Sequence, residues 1–146
     1  MLIILSPAKT LDLNTSGFNE LASLPYHTTE ATELMDNLRT YITSDLAKEM
    51  NVSKKLAEKV STWHTNWTTH TTVKEAISSE AKPCAFAMKG EAFKFLDAPS
   101  LTPEDLRYAQ QNLMILSGLY GILKPCDLIM PYRLEMGQTF QVNPQH

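Results

Sequence analysis

Three short apolar runs, each stopped by a polar or glycine-bearing cluster, constrain this chain more than any other feature. Leu2–Leu5 ends in Ser6-Pro7, Cys84–Met88 ends in Lys89-Gly90, and Leu113–Leu116 ends in Ser117-Gly118-Leu119-Tyr120-Gly121. Apolar runs of this length, bounded by turn residues, read as buried strands. Helix-like stretches separate them, which favours parallel pairing through crossovers. The expectation is a mixed α/β fold with a central, mostly parallel sheet and flanking helices, in one domain over residues 1–146. A fourth strand with alternating polarity is expected at Tyr132–Met136, after Pro125 and Pro131.

The helical stretches carry their own punctuation. Ala31, Leu34, Met35 and Leu38 recur at helix spacing between Thr28 and Tyr41, and a short helix is expected from Ser44 to Met50. Ser53 is a good N-cap for the next helix. On that helix Leu56, Val60, Trp63 and Trp67 fall on one face, a core-facing stripe, with stacking on bases as the minority reading. Further helices are expected at Val73–Ser79 and Glu91–Leu96. Thr102-Pro103-Glu104-Asp105 is the clearest helix start: a cap, a proline at the first helical position and two acids in the first turn. The stretch from Ala8 to Pro25, with Asn14, Ser16 and Gly17, is expected to be irregular.

In parallel sheets ligands bind outside the carboxyl ends of the strands. If the three runs share one sheet, their polar ends gather Ser6, Lys9, Thr10, Lys89, Gly90 and Ser117 around one cleft, joined by Arg133. Lysines, hydroxyls and open backbone N–H groups suit an anion, most simply a phosphate. Lys89 and Glu135 are the candidate catalytic residues, Glu135 as acid, base or nucleophile. The bland alternative is that the lysines are solvated and the glycines only make turns. Gly118, Leu119, Tyr120 and Gly121, with Lys124 beyond, form a glycine turn of the kind that offers N–H groups to a DNA phosphate, although its glycines are three apart where a helix-hairpin-helix has them two apart.

Composition narrows the classes. Hydrophobic residues make up 43% and charged residues 20%, the balance of a globular protein. The formal net charge of −3 excludes a uniformly basic nucleic-acid binder, so any DNA contact needs a local patch. The cysteines, Cys84 and Cys126, form no CxxC pair, and the histidines (His27, His64, His70, His146) show no paired ligand spacing. No metal or cofactor is expected, and a cytoplasmic location is.

At the level of motifs, Leu5-Ser6-Pro7-Ala8-Lys9-Thr10-Leu11, Met88-Lys89-Gly90, Leu116–Pro125 (LSGLYGILKP) and Asp127–Gly137 (DLIMPYRLEMG) resemble, in order, the signatures of the peroxide stress resistance YaaA family. The resemblance implies protection against hydrogen peroxide, lowered intracellular free iron, and binding of duplex DNA through a helix-hairpin-helix-like element. It also implies a longer polypeptide with a lysine- and arginine-rich C-terminal half, so this chain is expected to be truncated and its DNA binding weak or absent. The alternative is an enzyme acting on a nucleotide or nucleoside, by glycosyl transfer or hydrolysis, at the strand-end cleft. A third reading is a structural fragment with no activity of its own.

Overall fold

Several helix starts in this chain use side-chain caps that its sequence supplies. The computed structural model describes residues 1–15, 19–138 and 140; Ser16, Gly17 and His146 lie outside them. After β1 (Ile3–Leu5) and β2 (Thr10–Leu11) come α1 (Thr28–Leu38), α2 (Thr43–Glu49), α3 (Lys54–Asn66) and α4 (Val73–Ser78). Next are β3 (Lys82–Pro83), α5 (Cys84–Ala87), β4 (Met88–Lys89) and α6 (Glu91–Leu96), then a 3-10 turn at Ala98–Ser100. The chain continues through α7 (Pro103–Asn112), β5 (Leu113–Ser117), β6 (Gly121–Leu123) and β7 (Leu128–Ile129). The Ser53 side chain accepts from the Leu56 N–H to start α3. The α7 start is a full capping box: Thr102 Oγ1 accepts from Asp105 N–H, and an Asp105 carboxylate oxygen accepts from Thr102 N–H. On α1, Ala31, Met35 and Leu38 are the buried face, while Leu34, expected with them, is exposed at the edge of that stripe.

The sheet is smaller and more mixed than expected. β1 pairs in parallel with β5, Ile4 opposite Met114, but β6 returns antiparallel to β5, Leu116 opposite Ile122. Gly121, at φ +74°, makes that tight return possible, since the left-handed region penalises a Cβ. β2–β4 and β3–β7 are separate antiparallel ladders. The second apolar run is therefore no strand of a central sheet. Residues 84–87 instead form one helical turn, whose N–H groups at Cys84 and Ala85 donate to the carbonyls of Asp127 and Pro125. Buried donors must be satisfied, and those two carbonyls settle the conformation of an apolar run that has no polar face of its own. The segment 132–136 forms no strand among the described residues; Met136 and Gly137 make a turn in which Gln138 N–H donates to the Glu135 carbonyl.

The main core gathers α1, α5, β5, β7 and the aromatic pair Trp67 and Tyr120. A smaller cluster, Leu46, Met50, Ala57 and Val60, holds α2 against α3. Trp67 is core, its indole N–H donating to the Tyr120 hydroxyl at 3.0 Å, while Trp63 is half-buried under the Lys59 ammonium. No helix among the described residues is long and apolar enough to cross a membrane.

Candidate functional site

The cleft is built where the N-terminal segment meets residues 132–137. A cavity of about 230 Å³ is lined by residues 7–9, Leu11 and 132–137. Glu135 Oε1 lies 3.5 Å from Lys9 Nζ and 3.5 Å from Arg133 Nη2, so one carboxylate is bracketed by two cations. Arg133 Nε is buried with no hydrogen-bond partner, a donor left unused beside the cavity.

Three contacts hold this arm in place. The Tyr132 hydroxyl and Ser117 Oγ are hydrogen-bonded at 2.6 Å. Gly118 approaches the Leu134 carbonyl so closely that a Cβ there would meet the oxygen at 2.3 Å. His64 Nε2 accepts from the Arg133 N–H at 3.2 Å. Burial, then the nearby Arg39 guanidinium, pushes the His64 pKa down to about 4. The ring is therefore neutral at pH 7, and with Nε2 accepting, the proton sits on Nδ1. Burial likewise pushes the Tyr132 phenol up to about 12.

Of the residues expected at the cleft, Lys9, Arg133 and Glu135 converge. Thr10 faces Lys89 across the β2–β4 ladder, which brings these two together by a different route from the shared parallel sheet. Lys89 pairs with Asp12 at 3.9 Å and lines a neighbouring, more open hollow of about 460 Å³ with Gly90, so it does not share the Glu135 cavity. Ser6 is exposed ahead of Pro7 and does not line the cavity. Ser117 is buried and spent internally, its Oγ also accepting from Tyr120 N–H. The sequence reasoning missed Asp12, Tyr132 and the clamping role of His64. The last had a signal: His64 follows Ala57 and Val60 on the buried face of α3.

The glycine turn is not between helices. Gly118–Gly121 joins β5 to β6 as a β-hairpin, with Leu119 and Tyr120 buried. Both of these side chains, expected to face DNA, are turned into the core, where the Tyr120 hydroxyl accepts from the Trp67 indole N–H and from Met130 N–H. Gly121 is exposed, with the place a Cβ would take 3.4 Å from the His27 ring, and Lys124 is exposed, its N–H donating to Asp127. A helical pair joined by a short turn is found at α2–α3, which pack together through Leu46, Met50, Ala57 and Val60. Asn51 takes φ +52° in the turn, and Val52 N–H donates to the Ala47 carbonyl. Lys48, Lys54, Lys55 and Lys59 are exposed around it. The first turn of α3 contains no acid and begins with two lysines, the reverse of what the helix dipole favours.

A model of the family described as peroxide stress protein YaaA matches residues 1–146. The chain belongs to the YaaA peroxide stress protein family. Relatives in this family include a UPF0246 protein of Clostridium beijerinckii, 49% identical over 138 residues that make up 93% of this chain and 50% of the relative. A UPF0246 protein of Aliivibrio fischeri is 44% identical over 141 residues, 97% of this chain and 52% of its own length. One from Burkholderia lata is 41% identical over 140 residues, 96% and 52% respectively. The chain thus spans about half the length of the curated YaaA-family relatives it matches. Among the described residues no group of three or more His, Cys, Asp or Glu is arranged to hold a metal ion.

Proposed function

We propose that this chain serves the peroxide stress response by contacting duplex DNA through the α2–α3 helical hairpin. The observation that carries the reading is the start of α3: Lys54 and Lys55 stand at a helix N-terminus whose backbone N–H groups already favour an anion. Two lysines there repel the dipole in the free protein and are compensated when a DNA phosphate sits between them. Such contacts hold the backbone without reading sequence, which suits a protective role. Lowered free iron enters this reading as an effect in the cell, not as a metal site in this chain.

The test is fluorescence anisotropy with a labelled duplex, using the 146-residue chain and the full-length Clostridium beijerinckii relative at low and moderate salt. Lys54→Glu/Lys55→Glu is expected to abolish binding by the chain, whereas neutralising the pair (Lys54→Gln/Lys55→Gln) is expected to lower the salt slope by about two. Equal binding by wild type and both variants would sink the hairpin as the contact.

A second reading rests on the cavity at Glu135. Two cations around one carboxylate, with the Arg133 Nε donor unused, suit a nucleotide or nucleoside phosphate, Glu135 then serving as nucleophile or general base for glycosyl transfer or hydrolysis. Thermal stabilisation by nucleoside monophosphates that disappears in Arg133→Gln supports it; no stabilisation by any of them removes it.

A further inference from the structure

The β1–β5–β6 sheet has one covered face and one bare face. Register places Ile3, Leu5, Leu113, Ile115, Ser117 and Leu123 on the first, and Ile4, Met114, Leu116 and Ile122 on the second, with Leu2 two residues before Ile4. On the covered face Leu113, Ile115 and Leu123 are buried. On the other, Leu2 is 56%, Ile4 57% and Ile122 43% exposed, with Met114 and Leu116 half-buried between them. Every residue of that face is apolar and none is charged.

β1 is also an edge. Its one ladder is with β5, and among the described residues no strand pairs with its other side, where Ile3 is still 41% exposed. Neither Lys, Pro nor a bulge within Ile3–Leu5 blunts it. Parallel strands are normally covered on both faces, and a contiguous apolar patch beside an open edge marks an interaction surface.

The relatives supply the occupant. This chain accounts for 52% of the length of its Aliivibrio fischeri relative and 50% of the Clostridium beijerinckii one. We infer that the bare face of the β1–β5–β6 sheet is the docking surface for the other half of the family polypeptide. That half packs an apolar element on Ile4, Leu116 and Ile122 and extends the sheet from the open edge of β1. A second copy of this chain is the rival occupant, and the experiment separates the two.

The 146-residue chain is co-expressed with the tagged remainder of the Clostridium beijerinckii relative, and the same two pieces are also fused as one chimera. The expected result is a one-to-one complex whose recovery falls on the order of tenfold or more in Ile4→Lys/Ile122→Lys. The same pair of substitutions lowers the melting temperature of the chimera by several degrees and leaves that of the 146-residue chain nearly unchanged, because both side chains are exposed in it. A remainder that does not bind, with a chimera whose melting temperature ignores the substitutions, overturns the assignment. So does capture that is indifferent to them. A homodimer of the 146-residue chain that the substitutions dissolve and the remainder does not displace assigns the face to a second copy instead.

Discussion

The imidazole of His64, on α3, accepts a hydrogen bond from the backbone N–H of Arg133, on the arm that carries Glu135. The α2–α3 hairpin and the cleft are therefore mechanically joined, although more than sixty residues of chain lie between the two partners. Arg39 secures the other end of this link by donating to the carbonyls of His64 and Trp67 at the close of α3, where a cation is favoured.

The burial of His64 beside Arg39 predicts an acid-sensitive fold. The His64 pKa is about 4 when folded and 6.5 when free. Below pH 6.5 the unfolded chain takes up a proton that the folded chain refuses, so stability falls as pH drops from about 6.5 towards 4. The loss attributable to His64 approaches about 3 kcal/mol at the acid end. Urea unfolding at pH 7 and at pH 4.5 should show it, and His64→Gln, which keeps an acceptor but no titration, should flatten the slope. An identical slope in the variant would assign the acid sensitivity to other groups.

Gly118→Ala should destabilise the protein by about 1–3 kcal/mol, the usual cost of overpacking. The added Cβ would sit 2.3 Å from the Leu134 carbonyl oxygen, and backbone cannot swing away as a flexible side chain does. Denaturant midpoints measure this; a change of a few tenths would mean that the arm from Leu134 to Glu135 shifts freely.

The two core tyrosines should respond unequally. Tyr132→Phe removes one hydrogen bond, to Ser117, whose hydroxyl keeps the Tyr120 N–H as a donor, and should cost about 1 kcal/mol. Tyr120→Phe strips the acceptor from both the Trp67 indole and Met130 N–H, leaving two buried donors unpaired, and should cost more than twice as much. Equilibrium unfolding of the two variants gives the order directly.

The thiols should be bystanders to peroxide. Cys84 and Cys126 are both buried, and burial raises both above the ordinary thiol range, Cys84 the more strongly. The thiolate is the reactive form. Neither should react with Ellman's reagent or millimolar-range peroxide in the native protein, and both should react once it is unfolded in urea. Rapid native labelling of either would overturn this.

Much of the local structure was legible in the sequence. The Thr102–Asp105 capping box, the Ser53 cap and the apolar spacing of α1 depend on atoms within one helical turn, so a reader of the chain recovers them. The sequence places Lys9, Arg133 and Glu135 at one cleft through a parallel sheet of three strands; among the described residues the three-stranded sheet is mixed, and the three side chains meet where the N-terminal segment approaches residues 132–137. Residues 84–87 have no polar face to distinguish strand from helix, and the decision fell to the carbonyls of Pro125 and Asp127, some forty residues away.

The sequence by itself therefore determined the capped starts of α3 and α7, the buried face of α1 and which family the motifs resemble, because those signals are short-ranged; the run Leu2–Leu5, read as buried, is instead largely exposed, because nothing among the described residues covers that side of β1. Tertiary structure alone decided the meeting of Thr10 with Lys89, the burial of Leu119 and Tyr120, and the His64 clamp on Arg133. Each is a contact between distant segments, chosen by which buried donor finds which acceptor and which surface can approach a glycine, and neither is written in any single stretch of chain.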